Sequence, residues 1–199
     1  LYRRRQRQMC IRDRSNMELV QKIKQYKILK NILYILLGST LLIISAKIKL
    51  PFYPVPMTMQ TFVVLFLGVL LGPKLAATTI LFYLCEGILG LPVFSNSPEK
   101  GIGLVYFTGP TMGYLIGFIF ACYFAGYINT KDSYFKIYIK LILSVSIIYL
   151  LGLLWLGHLI GWEKPIFSLG AKPFLLAEIF KILLLGIICK YLIKLRRII

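Results

Sequence analysis

Long apolar blocks and short polar segments alternate along the chain. The apolar blocks cover residues 28–48, 61–71, 75–89, 109–125, 141–157 and 171–194, and glycine, proline or charged residues separate them. Runs of this length, without the strict alternation of a half-buried strand, are typical of helices. The longest blocks reach the roughly 20 apolar residues that cross a bilayer. The pattern predicts an all-α integral membrane protein in which six transmembrane helices form one bundle.

The composition agrees with a location in the membrane. Hydrophobic residues make up 58% of the 199 residues, and the mean hydropathy is +0.78. Soluble domains are only about 45–50% apolar, and a chain of this length usually forms one domain. We therefore expect a single membrane domain in contact with the lipid bilayer.

The net charge of +17 is distributed unevenly. Six of the eight arginines lie within residues 1–16, whereas the rest of the chain uses lysine almost exclusively. This break predicts that residues 1–16 are a foreign extension and that residues 17–199, starting at Met17, form the domain. A natural basic arm is the alternative. Without the extension, 18 basic and 6 acidic side chains remain.

Basic residues also orient the predicted helices. With six helices and both termini in the cytoplasm, the inner segments carry twelve basic residues and the outer loops five. This is the asymmetry of the positive-inside rule. Anionic lipid at the inner leaflet accounts for the basic charge, so we expect no nucleic-acid partner. The inner set is Lys22, Lys24, Lys27, Lys30, Lys74, Lys131, Lys136, Lys140, Lys190, Lys194, Arg196 and Arg197, and the outer set is Lys47, Lys49, Lys100, Lys164 and Lys172.

Small residues recur at a helical spacing in two regions. Gly68, Gly72 and Ala76 are four residues apart, and a second stripe of glycine and alanine runs from Gly109 to Ala125. Small residues at this spacing let helix backbones approach closely in lipid. Both stripes predict helix packing, and the start of the second could also approach a ligand.

Three prolines interrupt the segment that follows the first helix. Pro51, Pro54 and Pro56 lie in LPFYPVPMTMQT and rule out a regular helix there. Irregular backbone at membrane depth is tolerated only where protein or a cavity covers it. We predict a loop at the outer surface that folds back over the bundle; an ordinary exposed loop is the alternative.

The last apolar block contains two charged residues, Glu178 and Lys181. Each charge within hydrocarbon costs about 2.5–3.5 kcal/mol on insertion scales. Because the two residues are three positions apart, they share one helix face, and that face must look into the bundle. A ligand site is the functional interpretation, and a structural ion pair between two helices is the alternative.

The groups that most enzymes use are scarce in this sequence. His158 is the only histidine, the four cysteines include no Cys-x-x-Cys pair, and the acidic residues do not cluster. We therefore expect no enzyme, no metal site and no cofactor. The chain has no Gly-x-x-x-x-Gly-Lys-Ser/Thr loop, so any ATP dependence must come from partners. A solo or ion-coupled carrier stays open, although the internal repeats of such carriers are absent.

Five motifs of the chain occur together in one known family. In order and spacing, PFYPVPMTMQT, LGVLLGPK, YLCEGILGLPVF, GPTMGYLIGF and PFLLAEIFK resemble the BioY family, the biotin-specific substrate-binding (S) components of energy-coupling factor transporters. The resemblance implies a six-helix bundle in the bacterial cytoplasmic membrane that captures biotin from outside. It also implies a transmembrane coupling protein and two ATPase subunits as partners, and for some members a mode of action without them.

The same resemblance assigns roles to the charged pair. Glu178 and Lys181 correspond to the Asp-x-x-Lys motif of the family's last helix, with Glu in place of Asp. Biotin, the transported ligand that the resemblance implies, offers ureido N–H donors, a ureido carbonyl and a carboxylate. Glu178 can accept from the ureido N–H groups, and Lys181 can donate to the carbonyl or pair with the carboxylate. The sequence leaves open which of these Lys181 does.

Other residues are expected around the ligand. The lid over the site corresponds to Pro54, Val55 and Pro56. Glu86 either contacts the ligand or caps the neighbouring loop. For the walls and the remaining contacts, we predict Phe94, Asn96, Tyr114, Gln60 and Gly113.

Overall fold

The computed structural model of the protein describes residues 2–50, 55–99 and 101–197, with side chains from residue 24 onward apart from residue 50. The predicted lid residue Pro54 lies outside the described residues. The described part of the chain is mostly helical and contains seven α-helices. They are α1 (Tyr2–Lys47), α2 (Gln60–Leu71), α3 (Pro73–Ile88), α4 (Met112–Ala125), α5 (Tyr134–Ile160), α6 (Ile166–Gly170) and α7 (Leu175–Arg196).

Two helices qualify as membrane spans by length and composition within the described residues. They are Lys24–Lys47 of α1 and Tyr134–Ile160 of α5. α2 and α4 are apolar but have only 12 and 14 residues. The helical class is thus confirmed, whereas the number of six transmembrane helices stays a prediction.

The first helix is longer than its apolar block. α1 begins at Tyr2 and continues without a break to Lys47. It passes through the position where the arginine-rich segment was predicted to end. The division between residues 1–16 and 17–199 therefore has no counterpart in secondary structure and stays a prediction.

A small hairpin follows α1, so the all-α prediction needs a minor correction. β1 (Lys49–Leu50) pairs antiparallel with β2 (Met57–Thr58), with Lys49 opposite Thr58. Proline lacks the N–H that a helix requires, so the proline-rich segment leaves its flanking residues free to pair as strands. The hairpin lies next to the start of α2.

Glycine and proline end one helix and begin the next at residue 72. Gly72 has a φ of +82°, a conformation that other residues rarely adopt, and Pro73 occupies the first turn of α3. Two further boundaries differ from the prediction. α5 begins at Tyr134, seven residues before the predicted apolar block 141–157, and the Ser133 side chain caps it by accepting from the Lys136 backbone N–H. The short helix α6 lies between the fifth and sixth apolar blocks, where no helix was predicted.

The small-residue stripes are helix contacts, as predicted. A Cβ atom built on Gly117 of α4 would lie 2.8 Å from the Cα of Ile148 in α5. One built on Gly68 of α2 would lie 3.0 Å from the Cβ of Ala125 in α4. These backbones approach so closely only because the side chains are missing.

Charged groups gather at the end of the bundle opposite the hairpin, which we call the cationic end. There the Arg196 guanidinium donates to the Gly126 carbonyl at 2.8 Å. Arg197 donates to the Thr130 hydroxyl at 3.1 Å. The cationic end comprises Lys74, Lys131, Lys136, Lys140, Lys190, Lys194, Arg196 and Arg197, all of which belong to the predicted inner set.

One acidic residue at the cationic end has a perturbed pKa. The Asp132 carboxylate accepts from the Lys140 ammonium at 2.6 Å, and that bond, with a second from the Asn129 N–H, holds the pKa of Asp132 below its usual range. Because the pKa of Asp132 is lowered, its ion pair with Lys140 stabilises the fold at neutral pH. This stabilisation is lost as the pH falls through the lowered pKa.

We expect Asp132→Asn to lower the thermal midpoint at pH 7 by roughly 1–2 °C, because the pair is near the surface. The difference from wild type should vanish below the normal titration range of a carboxyl. Thermal denaturation in detergent at several pH values measures both effects. A difference that persisted unchanged in strong acid would contradict the assignment.

Candidate functional site

A cavity lies beneath the hairpin, between α2, α4, α5 and α7. Its volume is about 540 Å³, counting the part open to solvent. Apolar and aromatic side chains form most of the wall. They include Val55, Phe94, Tyr106, Tyr114, Tyr149 and Phe174, and polar groups come from Thr58, Gln60, Thr61, Ser95, Thr111 and Glu178.

Glu178 and Lys181 form a buried ion pair next to this cavity. The Lys181 Nζ atom lies 2.8 Å from Glu178 Oε1, and the two residues are only 5% and 4% exposed. The helical spacing of α7 places both on the same inward face. The prediction that this face looks into the bundle is confirmed.

The two oxygens of Glu178 have different surroundings. Oε1 accepts from the Thr61 hydroxyl at 2.7 Å and from Lys181. Oε2 is buried and accepts no hydrogen bond of normal geometry among the described residues, and the Tyr149 side chain interacts with this carboxylate. A buried acceptor without a donor costs about 1–3 kcal/mol, and more when it is charged. Because Glu178 lines the cavity, Oε2 is the natural acceptor for a donor group of a ligand.

All three donor hydrogens of Lys181 have acceptors. Its ammonium donates to Glu178 Oε1, to the Thr61 hydroxyl at 2.9 Å and to the Thr58 carbonyl at 2.7 Å. The side chain does not contribute to the wall of the cavity beneath the hairpin. Lys181 therefore lies behind Glu178 and joins α7 to the hairpin and to the start of α2.

An aromatic cluster forms the opposite wall. The Phe94 ring stacks on Tyr106 at 4.5 Å between centroids and meets Tyr83 edge-on at 5.4 Å. The Gln60 amide donates to the Tyr83 hydroxyl at 2.8 Å, and that hydroxyl donates to the Val93 carbonyl. Such ring geometries and satisfied hydroxyls make a rigid wall.

The segment that carries Phe94 is tied to the end of α1. The Lys47 ammonium donates to the Phe94 carbonyl at 3.0 Å and to the Ser97 carbonyl at 2.9 Å. Lys49 of β1 donates to the Asn96 side chain at 3.2 Å. These bonds position the aromatic wall relative to the hairpin.

The structure brings most of the predicted site residues together. Glu178, Phe94, Gln60 and Tyr114 line the cavity, and so do the lid residues Val55 and Pro56. The Tyr114 hydroxyl donates to the Gly170 carbonyl at 2.8 Å, so its ring rather than its hydroxyl faces the open space.

Three predicted contacts lie elsewhere, and each has another role. Gly113 packs on α5, where a Cβ atom would overlap the Leu151 carbonyl oxygen, so it is not available to a ligand. Glu86 accepts from the Ser39 hydroxyl and links α3 to α1. Asn96 is outside the main cavity and borders a smaller hollow. Their motifs are next to the site in sequence, but contacts with α5, Ser39 and Lys49, respectively for Gly113, Glu86 and Asn96, hold them outside the wall of the main cavity.

Several lining residues were missed by sequence reasoning. Thr61 directly follows Gln60 in the proline-rich motif, so its position was a usable signal. Tyr149 lies in the middle of the apolar helix α5 and meets the Tyr114 ring edge-on at 5.9 Å. No local pattern distinguishes it from the other aromatic residues of that helix. As for metals, the described residues contain no group of three or more His, Cys, Asp and Glu side chains that could hold an ion.

Two helices long and apolar enough to cross a bilayer, together with a buried carboxylate at the wall of a cavity, are typical of membrane proteins that bind a small ligand. The sequence model of the BioY family matches residues 14–198, and the chain belongs to this family.

Two relatives illustrate the similarity. A probable biotin transporter BioY from Pyrococcus horikoshii is 36% identical over 152 residues, which cover 76% of this chain and 89% of the relative. The biotin transporter BioY from Thermotoga maritima is 34% identical over 158 residues, covering 79% and 92%.

One solved structure is also similar. The crystal structure of the S-component for biotin from an ECF-type ABC transporter matches with a TM-score of 0.70 and 25% sequence identity. The match covers 84% of this chain and 93% of that chain.

Proposed function

We propose that this protein takes up biotin across the membrane as the substrate-binding component of an energy-coupling factor transporter. Membership of the BioY family, the relatives named as biotin transporters and the similarity to a biotin S-component support this function. The observation that carries it in the structure is the buried Oε2 atom of Glu178 at the cavity wall.

The site chemistry suits the bicyclic head of biotin. Glu178 Oε2 accepts a hydrogen bond from a ureido N–H, and the aromatic wall of Phe94, Tyr106 and Tyr149 covers the apolar thioether ring. A site with one buried acceptor rejects ligands that lack a matching donor. Selectivity for the ureido group follows from this arrangement.

The proposal includes a topology and a set of partners. Six helices, α1, α2, α3, α4, α5 and α7, span the bacterial cytoplasmic membrane, with both termini in the cytoplasm. The clustering of basic side chains at the end opposite the cavity supports this orientation. A transmembrane coupling protein and two ATPase subunits complete the transporter.

Two other functions receive less support. A solo or ion-coupled carrier is not favoured, because the matched structure is an S-component of an ECF-type ABC transporter. A membrane enzyme is not favoured either, because the family is one of transport proteins.

We expect the purified protein to bind biotin and dethiobiotin but not an unrelated vitamin such as riboflavin. Both expected ligands carry the ureido group that Glu178 is proposed to recognise, whereas riboflavin lacks this group and its three fused rings are larger than the bicyclic head of biotin. Isothermal titration in detergent measures all three. Absence of biotin binding, or equal binding of riboflavin, would refute the proposed function.

A further inference from the structure

We propose that a groove on the outer face of α4 and α5 is a binding site for an anionic glycerophospholipid of the inner leaflet. One acyl chain lies in the groove, and the phosphate binds lysines of the cationic end. The groove is separate from the cavity beneath the hairpin, and biotin uptake plays no part in its assignment. Only the proposed orientation is used, in which the cationic end faces the cytoplasm.

The groove is open and almost entirely apolar. Its volume is about 1090 Å³, counting the part open to the surroundings. Residues of α5 form one side, and the end of α4 with the residues after it forms the other. Leu143 and Leu150 are 59% and 61% exposed, so the described part of the chain leaves this face uncovered. The walls include Phe124, Tyr127, Lys140, Leu143, Ile147 and Leu150.

The length of the groove matches one acyl chain. α5 (Tyr134–Ile160) is one of the two described helices that are long and apolar enough to cross a bilayer. Lys140 and Leu150 are ten residues apart, so the groove follows α5 for about 15 Å at the helical rise of 1.5 Å per residue. One leaflet contributes half of the roughly 30 Å hydrocarbon core, which is the same depth. A chain that starts at the level of Lys140 therefore ends near the midplane together with the groove.

Positive charge lies on the same helix face, at one end of the groove. Lys136 and Lys140 are four residues apart on α5, and Leu143 and Ile147 continue this face. Long helical side chains lean toward the helix N-terminus, which here is at the cationic end. Residues 127–140 contain three lysines and a single acid. An anionic headgroup complements this local excess of positive charge, whereas a zwitterionic headgroup brings a cation of its own.

The Lys140 ammonium has a donor hydrogen left for a phosphate. It donates to the Asp132 carboxylate at 2.6 Å and to the Tyr127 carbonyl at 3.3 Å, the two acceptors that the described residues supply. An ammonium has three N–H groups. These bonds hold it at the mouth of the groove, beside the Tyr123 and Tyr127 rings, which meet edge-on. Tyrosine is enriched at the level of the lipid headgroups, so the ammonium is at the depth of a phosphate.

The test compares lipids of different charge by native mass spectrometry. The delipidated protein in detergent is titrated with palmitoyl-oleoyl phosphatidylglycerol and with the phosphatidylcholine that has the same acyl chains. We expect the first phosphatidylglycerol to bind about fivefold more tightly or better. Dihexanoyl phosphatidylglycerol, whose chains are too short to fill the groove, should bind weakly. Equal affinity for the two long-chain lipids, or for the short- and long-chain phosphatidylglycerols, would overturn the proposal.

Charge variants test the two lysines. Lys136→Gln with Lys140→Gln should weaken phosphatidylglycerol binding about 25-fold, because each lysine near an anionic lipid contributes about fivefold in affinity. The matched control is Lys74→Gln with Lys194→Gln, which removes two exposed lysines of the same end outside the groove. Charges more than about 8 Å away are screened at physiological ionic strength, so the control should bind like wild type. Equal affinity of the two double variants would overturn the site.

Two further variants keep the test decisive if the groove lysine variant does not fold. Asp132→Asn releases the Lys140 ammonium from its carboxylate and should tighten phosphatidylglycerol binding about fivefold. Leu143→Trp fills the groove and should weaken binding about tenfold through lost acyl-chain burial. Its control is Ile142→Trp, which changes an exposed neighbour that does not line the groove. Wild-type affinity in both Asp132→Asn and Leu143→Trp would refute the lipid site.

A second copy of the chain is the other occupant that the spectra detect. If the groove were an interface between copies, the protein would be a dimer that Leu143→Trp dissociates and phosphatidylglycerol does not. That result would also overturn the lipid site, whereas a protein with one tightly bound phosphatidylglycerol supports it. None of these measurements uses biotin, so failure of the lipid site and failure of the proposed function are separate results.

Discussion

We expect Glu178→Gln to weaken biotin binding about 100-fold. The Oε1 atom of Glu178 is occupied by Thr61 and Lys181, and Oε2 is left buried at the cavity wall. Glutamine has nearly the same size, but its NH₂ group would present a donor where the ligand also has a donor. A lost hydrogen bond to a charged group costs about 1.5–3 kcal/mol, which is about 10- to 150-fold in affinity.

Isothermal titration of the purified variant with biotin measures this effect. Dethiobiotin keeps the ureido group, so its binding should weaken in parallel. The control is Glu163→Gln, which changes an exposed carboxylate in the connection between α5 and α6. Size-exclusion chromatography in detergent checks that the variants are folded. Wild-type affinity in Glu178→Gln would show that the ligand does not use this carboxylate.

We expect Gly117→Leu to destabilise the bundle by forcing α4 and α5 apart. The atoms closest to a Cβ at this position are backbone atoms of Ile148, its Cα at 2.8 Å and its carbonyl oxygen at 3.3 Å. Backbone cannot rotate away as a side chain can, so α4 and α5 would have to separate. Overpacking of this kind costs about 1–3 kcal/mol, which corresponds to a fall in thermal midpoint of about 2–12 °C for a chain of this size.

Thermal unfolding in detergent tests this expectation. Ser146→Leu is the matched control, because it adds a comparable side chain to the exposed face of α5. The control should unfold near the wild-type temperature. If Gly117→Leu did so as well, close contact between α4 and α5 would not be needed for the fold.

Most of the helical framework could be predicted from local sequence. Four of the predicted apolar blocks match α2, α3, α4 and α7 to within a few residues, because apolar content and glycine or proline breaks are local signals. The hairpin and α6 were missed. The hairpin depends on pairing between two segments, and α6 is too short to show a period.

The candidate site was predictable in part. Charged residues within an apolar helix stand out, so Glu178 and Lys181 were found from the cost of burying charge. Glycine and asparagine carry no charge, so burying them has no comparable cost that would mark them as site residues. Gly113 and Asn96 are near the cavity in sequence, yet contacts with α5 and with Lys49 decide where they lie.

The sequence by itself determined the helical class, the small-residue contacts and the buried charged pair. Each of these features depends on residues that are only a few positions apart, so the spacing of residue types along the chain is enough to predict it. Only the tertiary structure decided that Oε2 of Glu178 accepts no hydrogen bond of normal geometry among the described residues and that the Lys181 ammonium donates to the Thr58 carbonyl. The carbonyl that Lys181 binds belongs to Thr58, 123 residues earlier, and no local pattern encodes a contact over that separation.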